Sequence, residues 1–213
     1  PTKKVSIIVP TYNRKSILEK NLAALVRQNY PHSLMEVIVV DDGSGDGTEK
    51  LIRTMDLPFD VKYVWQEDIG YRLSRSRNNG IKLARHDTVI ILDVDMIPTL
   101  GLVREHMMWH HAAQNVAVIG HRRYAEPEDV PLELIVTEPN KLHGIKDTVH
   151  RGTTTKEDWR LPIYQRTGNL KKDSAYPPYH AFNGGNVSFN KRLAFLAGLF
   201  DEGFNAWGGE DNE

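Results

Sequence analysis

Two carboxylates one residue apart, Asp93 and Asp95, directly follow the apolar run Val89–Leu92. Where a strand gives out, carboxylates so spaced can point the same way and share a hard divalent cation, leaving its other positions to phosphate oxygens and water. Oxygen donors without sulfur favour magnesium or manganese. Two further polar groups also end apolar runs: Pro10-Thr11-Tyr12-Asn13-Arg14 after Val5–Val9, and Asp41-Asp42-Gly43-Ser44 after Val37–Val40. Asp41 and Asp42 would repel a phosphate but accept hydrogen bonds from a base or ribose. That suits the nucleoside end of a ligand. Arg72, Arg75 and Arg77 precede or open a helical stretch, and arginine beside a metal-bound diphosphate offsets its charge. Helical spacing sends the three in different directions, so Arg77 is assigned that role and the others a solvated face. Acidic residues also end strands and cap helices for purely structural reasons. Three such ends converging on one rim favour a site.

Near the carboxyl end, Phe182-Asn183-Gly184-Gly185-Asn186, Phe200-Asp201-Glu202 and Trp207-Gly208-Gly209-Glu210-Asp211 combine close backbone approach, acidic groups and an aromatic platform. The combination suits a sugar, with a carboxylate taking a hydroxyl proton as general base beside the tryptophan face. Other patterns fail. The segment beginning at Asp42 starts like a calcium loop but has Arg53 where a bidentate glutamate belongs. The third glycine of a dinucleotide fingerprint would fall at Thr48, and no phosphate loop of the Gly-x-x-x-x-Gly-Lys-Ser/Thr type occurs. His106 and His110 have the spacing of a zinc pair but lack a glutamate after His106 and a third ligand, so zinc is disfavoured and Met107, Met108 and Trp109 are expected in the core.

These residues need a frame. Five β-branched runs (Val5–Val9, Val37–Val40, Val61–Trp65, Thr88–Leu92 and Val116–Ile119) read as strands. Helical periodicity falls between them at Ser16–Gln28, Thr48–Met55, Ser74–Arg85 and Leu100–Ala113. Helices alternating with near-continuous apolar strands predict an α/β fold with an open, mostly parallel sheet buried on both faces. In such sheets ligands bind outside the carboxyl ends of the strands. From about Arg122, repeated prolines predict long loops with short helices, a mobile stretch at Thr153–Thr155, and a last helix near Lys191–Ala197.

Composition narrows the function. Lysine plus arginine number 27 against 28 aspartates plus glutamates, a formal net charge of -1, which provides no bulk field for nucleic acid. The absence of cysteine removes disulfides, thiolate metal sites and thiol nucleophiles. Pro10, Asp41 and Asp93 cut the apolar runs well short of a membrane span. No secretory signal is visible at the amino end, and a chain running from Pro1 to Glu213 is expected to be a piece of a longer one.

Taken in order, Val5–Arg14, Val37–Thr48, Asp93–Asp95 and Trp207–Asp211 resemble the family-2 glycosyltransferases, whose nucleotide-sugar-binding fold is called GT-A. Gln66, Gly70-Tyr71-Arg72-Leu73 and Arg77-Asn78, followed by Ile91–Met96, are most similar to the bacterial chondroitin and hyaluronan polymerases. The block from Phe182 also resembles the acceptor motif of β-galactosyltransferases and polypeptide N-acetylgalactosaminyltransferases.

The resemblance implies an open mixed sheet flanked by helices, with residues 1–120 as the donor-binding half and 121–213 as a truncated acceptor-side half of one domain. It implies that Pro10, Thr11, Tyr12, Asp41 and Asp42 hold uridine, with Arg14 in the nucleotide site and Gln66 and Arg77 near the ribose-diphosphate. Asp93 would bind nucleotide and, with Asp95, Mn2+ or Mg2+. Gly184, Gly185, Asn186 and Trp207 would face the sugars, Asp211 would be the base, and Glu210 its alternative or an acceptor contact. A further metal-ligating histidine, usual downstream of this motif, would lie past Glu213. The implied reaction moves an N-acetylhexosamine, with galactose behind it, from a UDP-sugar to a glycan hydroxyl with inversion. No nucleic-acid partner is implied. The implied location is cytoplasmic, with association with membrane-bound polysaccharide machinery at the inner membrane left open. The rival reading is a non-catalytic carbohydrate- or nucleotide-binding domain of the same fold.

Overall fold

The computed structural model describes residues 3–148, 158–162, 182 and 184–204. Strands β1 (Val5–Thr11), β2 (Met35–Asp41) and β4 (Thr88–Leu92) are buried at every position, while β3 (Asp60–Trp65) is half-exposed. β1 to β4 are mutually parallel. β6 (Asn186–Asn190) runs antiparallel to β4, and the two-residue β5 (Val118–Ile119) antiparallel to β6, giving the order β3-β2-β1-β4-β6-β5.

Strand periodicity divides the apolar residues between two faces. Ile7, Val9, Val37, Val39, Ile90 and Leu92 pack with Leu18, Leu22 and Leu25 of α1 (Lys15–Val26) and with Val103 and Met107 of α4 (Leu102–Ala112). Ile8, Ile38, Val40, Val89, Ile91 and Val187 face the other way, onto Ile81 of α3 (Leu73–Leu83). Each fully buried Val, Leu or Ile contributes about 1.5–3 kcal/mol. α3 can approach β1 closely because position 80 is glycine: a Cβ there would lie 2.3 Å from Ile8 Cγ2. A short helix, α2 (Thr48–Thr54), follows β2. Beyond β5, α5 (Leu132–Thr137) lays Ile135 against Ala24 of α1. α6 (Lys191–Ala197) opens with Asn190 Oδ1 accepting from the Arg192 N–H at 2.9 Å and closes on Gly198 at φ 97°.

The expected strands and helices are present with ends shifted by a residue or two, except that Val116–Ile119 shrinks to its last two residues. The core expected around His106 and His110 needs correction. α4 buries Val103, His106, Met107 and His110, a spacing of three, one and three that makes one helical face, whereas Met108 and Trp109 are 52% and 56% exposed. Met107 is core as expected and both histidines join it, whereas Met108 and Trp109 face solvent. Thr153–Thr155 lies outside the described residues. Among the described residues, no helix is long and apolar enough to cross a membrane.

Candidate nucleotide and metal site

Parallel register brings the expected carboxyl ends together: Thr11 of β1 pairs with Asp41 of β2, and Ile8 of β1 with Ile91 of β4, while Trp65 of β3 joins them beside Asp41. Beyond the strands the chains stay side by side, the Asp42 N–H donating to Thr11 O and the Gln66 N–H to Asp41 O, both at 2.9 Å. The loops are then stitched together. The Asn13 N–H donates to Ser44 Oγ at 2.8 Å and the Gly45 N–H to Asn13 Oδ1 at 2.9 Å, while Tyr12 Oη donates to Asp68 Oδ2 at 2.8 Å. That last bond raises the Tyr12 phenol pKa and lowers that of the Asp68 carboxyl. Gly43, at φ 95°, allows this approach, since a Cβ there would lie 2.5 Å from the Asp68 nitrogen.

Asp41 and Asp42 divide the work. Asp41 is fully buried and accepts from the Ser44 N–H at 2.8 Å and from Tyr63 Oη at 2.7 Å; burial, and then the hydrogen bond to Asp41 and its charge, push the Tyr63 phenol far up. Asp42 ties down the loop after β3. It accepts from Gln66 Nε2 at 2.5 Å, from the Arg72 N–H at 3.1 Å and from Arg72 Nη2 at 3.0 Å. Gln66 Oε1 in turn accepts from Asn79 Nδ2 at 2.8 Å. Arg72 therefore does not lie on a solvated face with the exposed Arg75, as the helical spacing suggested: its side chain is 13% exposed and salt-bridged. Pro10 and Thr11 are buried at the end of β1, with Thr11 Oγ1 lacking a hydrogen-bond partner, while Tyr12 is 46% exposed on the rim. Arg14 is exposed and pairs loosely with Glu128 at 3.7 Å.

Asp93 and Asp95 sit at the next strand end. Arg77, 1% exposed, donates to Asp93, so it acts from behind the carboxylate rather than reaching out from it. Asp95 keeps contact with solvent, yet the protein packed around its carboxyl and repulsion from Asp93 push its pKa up, against the pull of Arg122 and Arg14. Gly184 and Gly185 complete this corner. The Asp93 N–H donates to Gly185 O at 3.0 Å, and a Cβ on Gly185, at φ 93°, would lie 2.6 Å from Asp93 Oδ2. Arg122 Nη2 donates to Gly184 O. Behind it, the fully buried pair Asp158 and Arg160 closes at 2.6 Å, with the Arg122 N–H also donating to Asp158 at 3.2 Å.

Sequence reasoning missed Arg122 and set Arg72 aside, because the groups they bond, Gly184 and Asp42, are remote in the chain. Asn186 is 6% exposed, and its carboxamide turns toward α4, bonding His106 Nε2 at 2.9 Å and the His121 carbonyl at 3.2 Å. His106 and His110 both meet Ser188 Oγ at 2.8 Å, forming a buried polar chain. Trp207, Glu210 and Asp211 lie outside the described residues.

The donor set suits a hard cation. Asp93 and Asp95 offer oxygen alone, and the Asp95 pKa is raised first by the protein packed around it and then by repulsion from Asp93, the part that a divalent cation would relieve. No group of three acidic, histidine or cysteine side chains able to hold a metal occurs among the described residues. Asp93 and Asp95 alone would leave most of a cation's shell to ligand oxygens, water and residues outside the described ones, and magnesium usually keeps several waters.

A family model described as Glycosyl transferase family 2 matches residues 6–193. A chondroitin synthase of Escherichia coli is 37% identical over 216 residues, 98% of this chain but 31% of that protein. Among solved structures, S. aureus TarS 1-349 in complex with UDP-GlcNAc superposes with a TM-score of 0.66 at 19% identity, covering 98% of this chain and 51% of that one. A mannosyltransferase from Pyrobaculum calidifontis in complex with GDP-Man and Mn2+ gives 0.64 at 23% identity, covering the whole chain and 51% of its own. The chain thus spans under a third of the chondroitin synthase and about half of each solved structure. The mixed, mostly parallel sheet with flanking helices is the GT-A fold that the motifs led us to expect.

Proposed function

The chain belongs to glycosyl transferase family 2, and from that premise we propose that it takes a sugar from a UDP-sugar and passes it to a glycan hydroxyl at a site requiring Mn2+ or Mg2+. The observation that carries this reading is the placement of Asp93 and Asp95 on the same rim as Asp41 and Asp42, with Gly185 against Asp93. Asp41, Asp42, Thr11 and Tyr12 would hold the uridine. Asp93 and Asp95 would hold the cation against the diphosphate, with Arg77 and Arg122 limiting the negative charge from inside. When bound, the cation neutralises charge on the departing diphosphate.

Asp211 is the proposed base, with Glu210 as the alternative. It takes the acceptor hydroxyl proton as that oxygen bonds to the anomeric carbon, and the bond from that carbon to the diphosphate oxygen breaks to release UDP. One base and no enzyme nucleophile give inversion. Trp207 would pack the acceptor's apolar face, with Gly184 and Gly185 at the donor sugar. An N-acetylhexosamine is the favoured donor sugar, in line with the chondroitin synthase relative. Its acceptor would be a growing polysaccharide, and its setting a cytoplasmic domain working with membrane-bound polysaccharide machinery.

Ligand-observed NMR with Mg2+ tests nucleotide choice. UDP and UDP-N-acetylhexosamine should bind and compete with each other, with GDP and ADP much weaker. Equal binding of all nucleotides, or none, would overturn the assignment.

A further inference from the structure

Asn21 is fully buried on the apolar face of α1, where its neighbours at helical spacing are Leu18, Leu22 and Leu25. A buried carboxamide costs free energy unless its hydrogen bonds are used, and Asn21 Oδ1 has no partner. Its Nδ2 is fully engaged. It donates to Met96 O at 2.7 Å and lies 3.4 Å from both Asp93 O and Val94 O. These carbonyls belong to the turn closed by the Met96 N–H donating to Asp93 O at 2.9 Å, the turn that carries Asp93 and Asp95. Just beyond the end of α1, Gln28 repeats the device farther down the chain: Nε2 donates to Thr99 O at 2.8 Å and Oε1 accepts from the Val103 N–H at 3.0 Å.

We infer that Asn21 is a positioning residue that fixes the Asp93–Met96 turn from its backbone side, so that the two carboxylates are set for a divalent cation before one arrives. Gln28 anchors the following segment and has no part in the carboxylate geometry. A leucine at position 21 would fill the same space among leucines, so the amide is held there for what it bonds. This inference rests on the metal-dependent reading of Asp93 and Asp95.

Leucine replacement separates the two roles. Asn21→Leu and Gln28→Leu are compared with the unmodified chain by electron paramagnetic resonance titration of Mn2+ at saturating UDP, and by hydrogen exchange of the Met96 amide without metal. Asn21→Leu should weaken Mn2+ binding by about tenfold, the lower end of what loss of a supporting hydrogen bond costs a metal site, and should speed Met96 exchange. Gln28→Leu should lower the unfolding midpoint and leave Mn2+ affinity as it was. If Asn21→Leu does not fold, Asn21→Ala, which removes the donor without adding bulk, is read in its place. Unchanged Mn2+ affinity in the folded Asn21 variant, or an equal loss in Gln28→Leu, would overturn the inference. If the unmodified chain shows no Mn2+-dependent UDP binding, the transferase reading fails. Met96 exchange then decides the positioning role by itself, and unchanged protection in the Asn21 variant would refute it.

Discussion

Arg77 Nη2 donates to both carboxylate oxygens of Asp93, at 3.0 and 3.2 Å, from a side chain only 1% exposed. The guanidinium also lies 5.3 Å from the centroid of the Phe200 ring. The first carboxylate of the pair is thus held and balanced from inside the fold, while the protein packed around the solvent-touching Asp95 carboxyl, and then its neighbour, push its pKa up. Arg77→Lys keeps the charge but loses the planar fork and the ring contact. It should cost about 1.5–3 kcal/mol, the worth of hydrogen bonds to a charged group, read as a lower urea midpoint, with weaker Mn2+-dependent UDP binding alongside.

Gly80 makes a different kind of prediction, about packing alone. A Cβ there would meet Ile8 Cγ2 at 2.3 Å, and Ile8 is itself fully buried in β1. Gly80→Ala must therefore push α3 off the sheet or force Ile8 from its rotamer, at a cost of about 1–3 kcal/mol. This outweighs the roughly 1 kcal/mol that alanine gains over glycine within a helix. Chemical denaturation should show net destabilisation, and a more stable variant would mean that α3 and β1 are farther apart than described.

Acid sensitivity should come in part from the chain of His110, Ser188, His106 and Asn186. Burial lowers the pKa of both histidines, that of His110 to about 4, with His106, Lys3 and His111 adding repulsion at His110. The unfolded chain takes up these protons near pH 6.5 while the folded one resists until the lower value, so the unfolded state binds more protons in between. Stability from this source is complete above pH 6.5 and is lost as pH falls toward 4. The urea midpoint should drop between pH 7 and pH 5, and replacing both histidines by glutamine should flatten that slope. An equally steep slope in the double variant would place the acid sensitivity elsewhere.

Much of the frame was legible because parallel strands covered on both faces need continuous β-branched runs, as in Val37–Val40 and Thr88–Leu92. The rim was legible because proline and aspartate interrupt those runs where the strands end. β6 was not. Asn186 and Ser188 look wrong for a central strand, and only His106 and His110, some eighty residues away, explain why they can be buried. Arg72 looked solvated for the same reason, since its partner Asp42 lies thirty residues back. Asn21 drew no notice in the sequence, since no local pattern links it to the turn at Asp93. The Trp207 to Asp211 motif rests on the sequence, as those residues lie outside the described ones.

The most direct test of the metal-dependent nucleotide site is calorimetric titration of UDP with and without Mn2+, on the unmodified chain and on Asp95→Asn. Mn2+ should strengthen UDP binding to the unmodified chain, and Asp95→Asn should abolish that gain while the protein stays folded. UDP affinity indifferent to Mn2+, or an Asp95→Asn protein that keeps the full Mn2+ effect, would contradict the assignment.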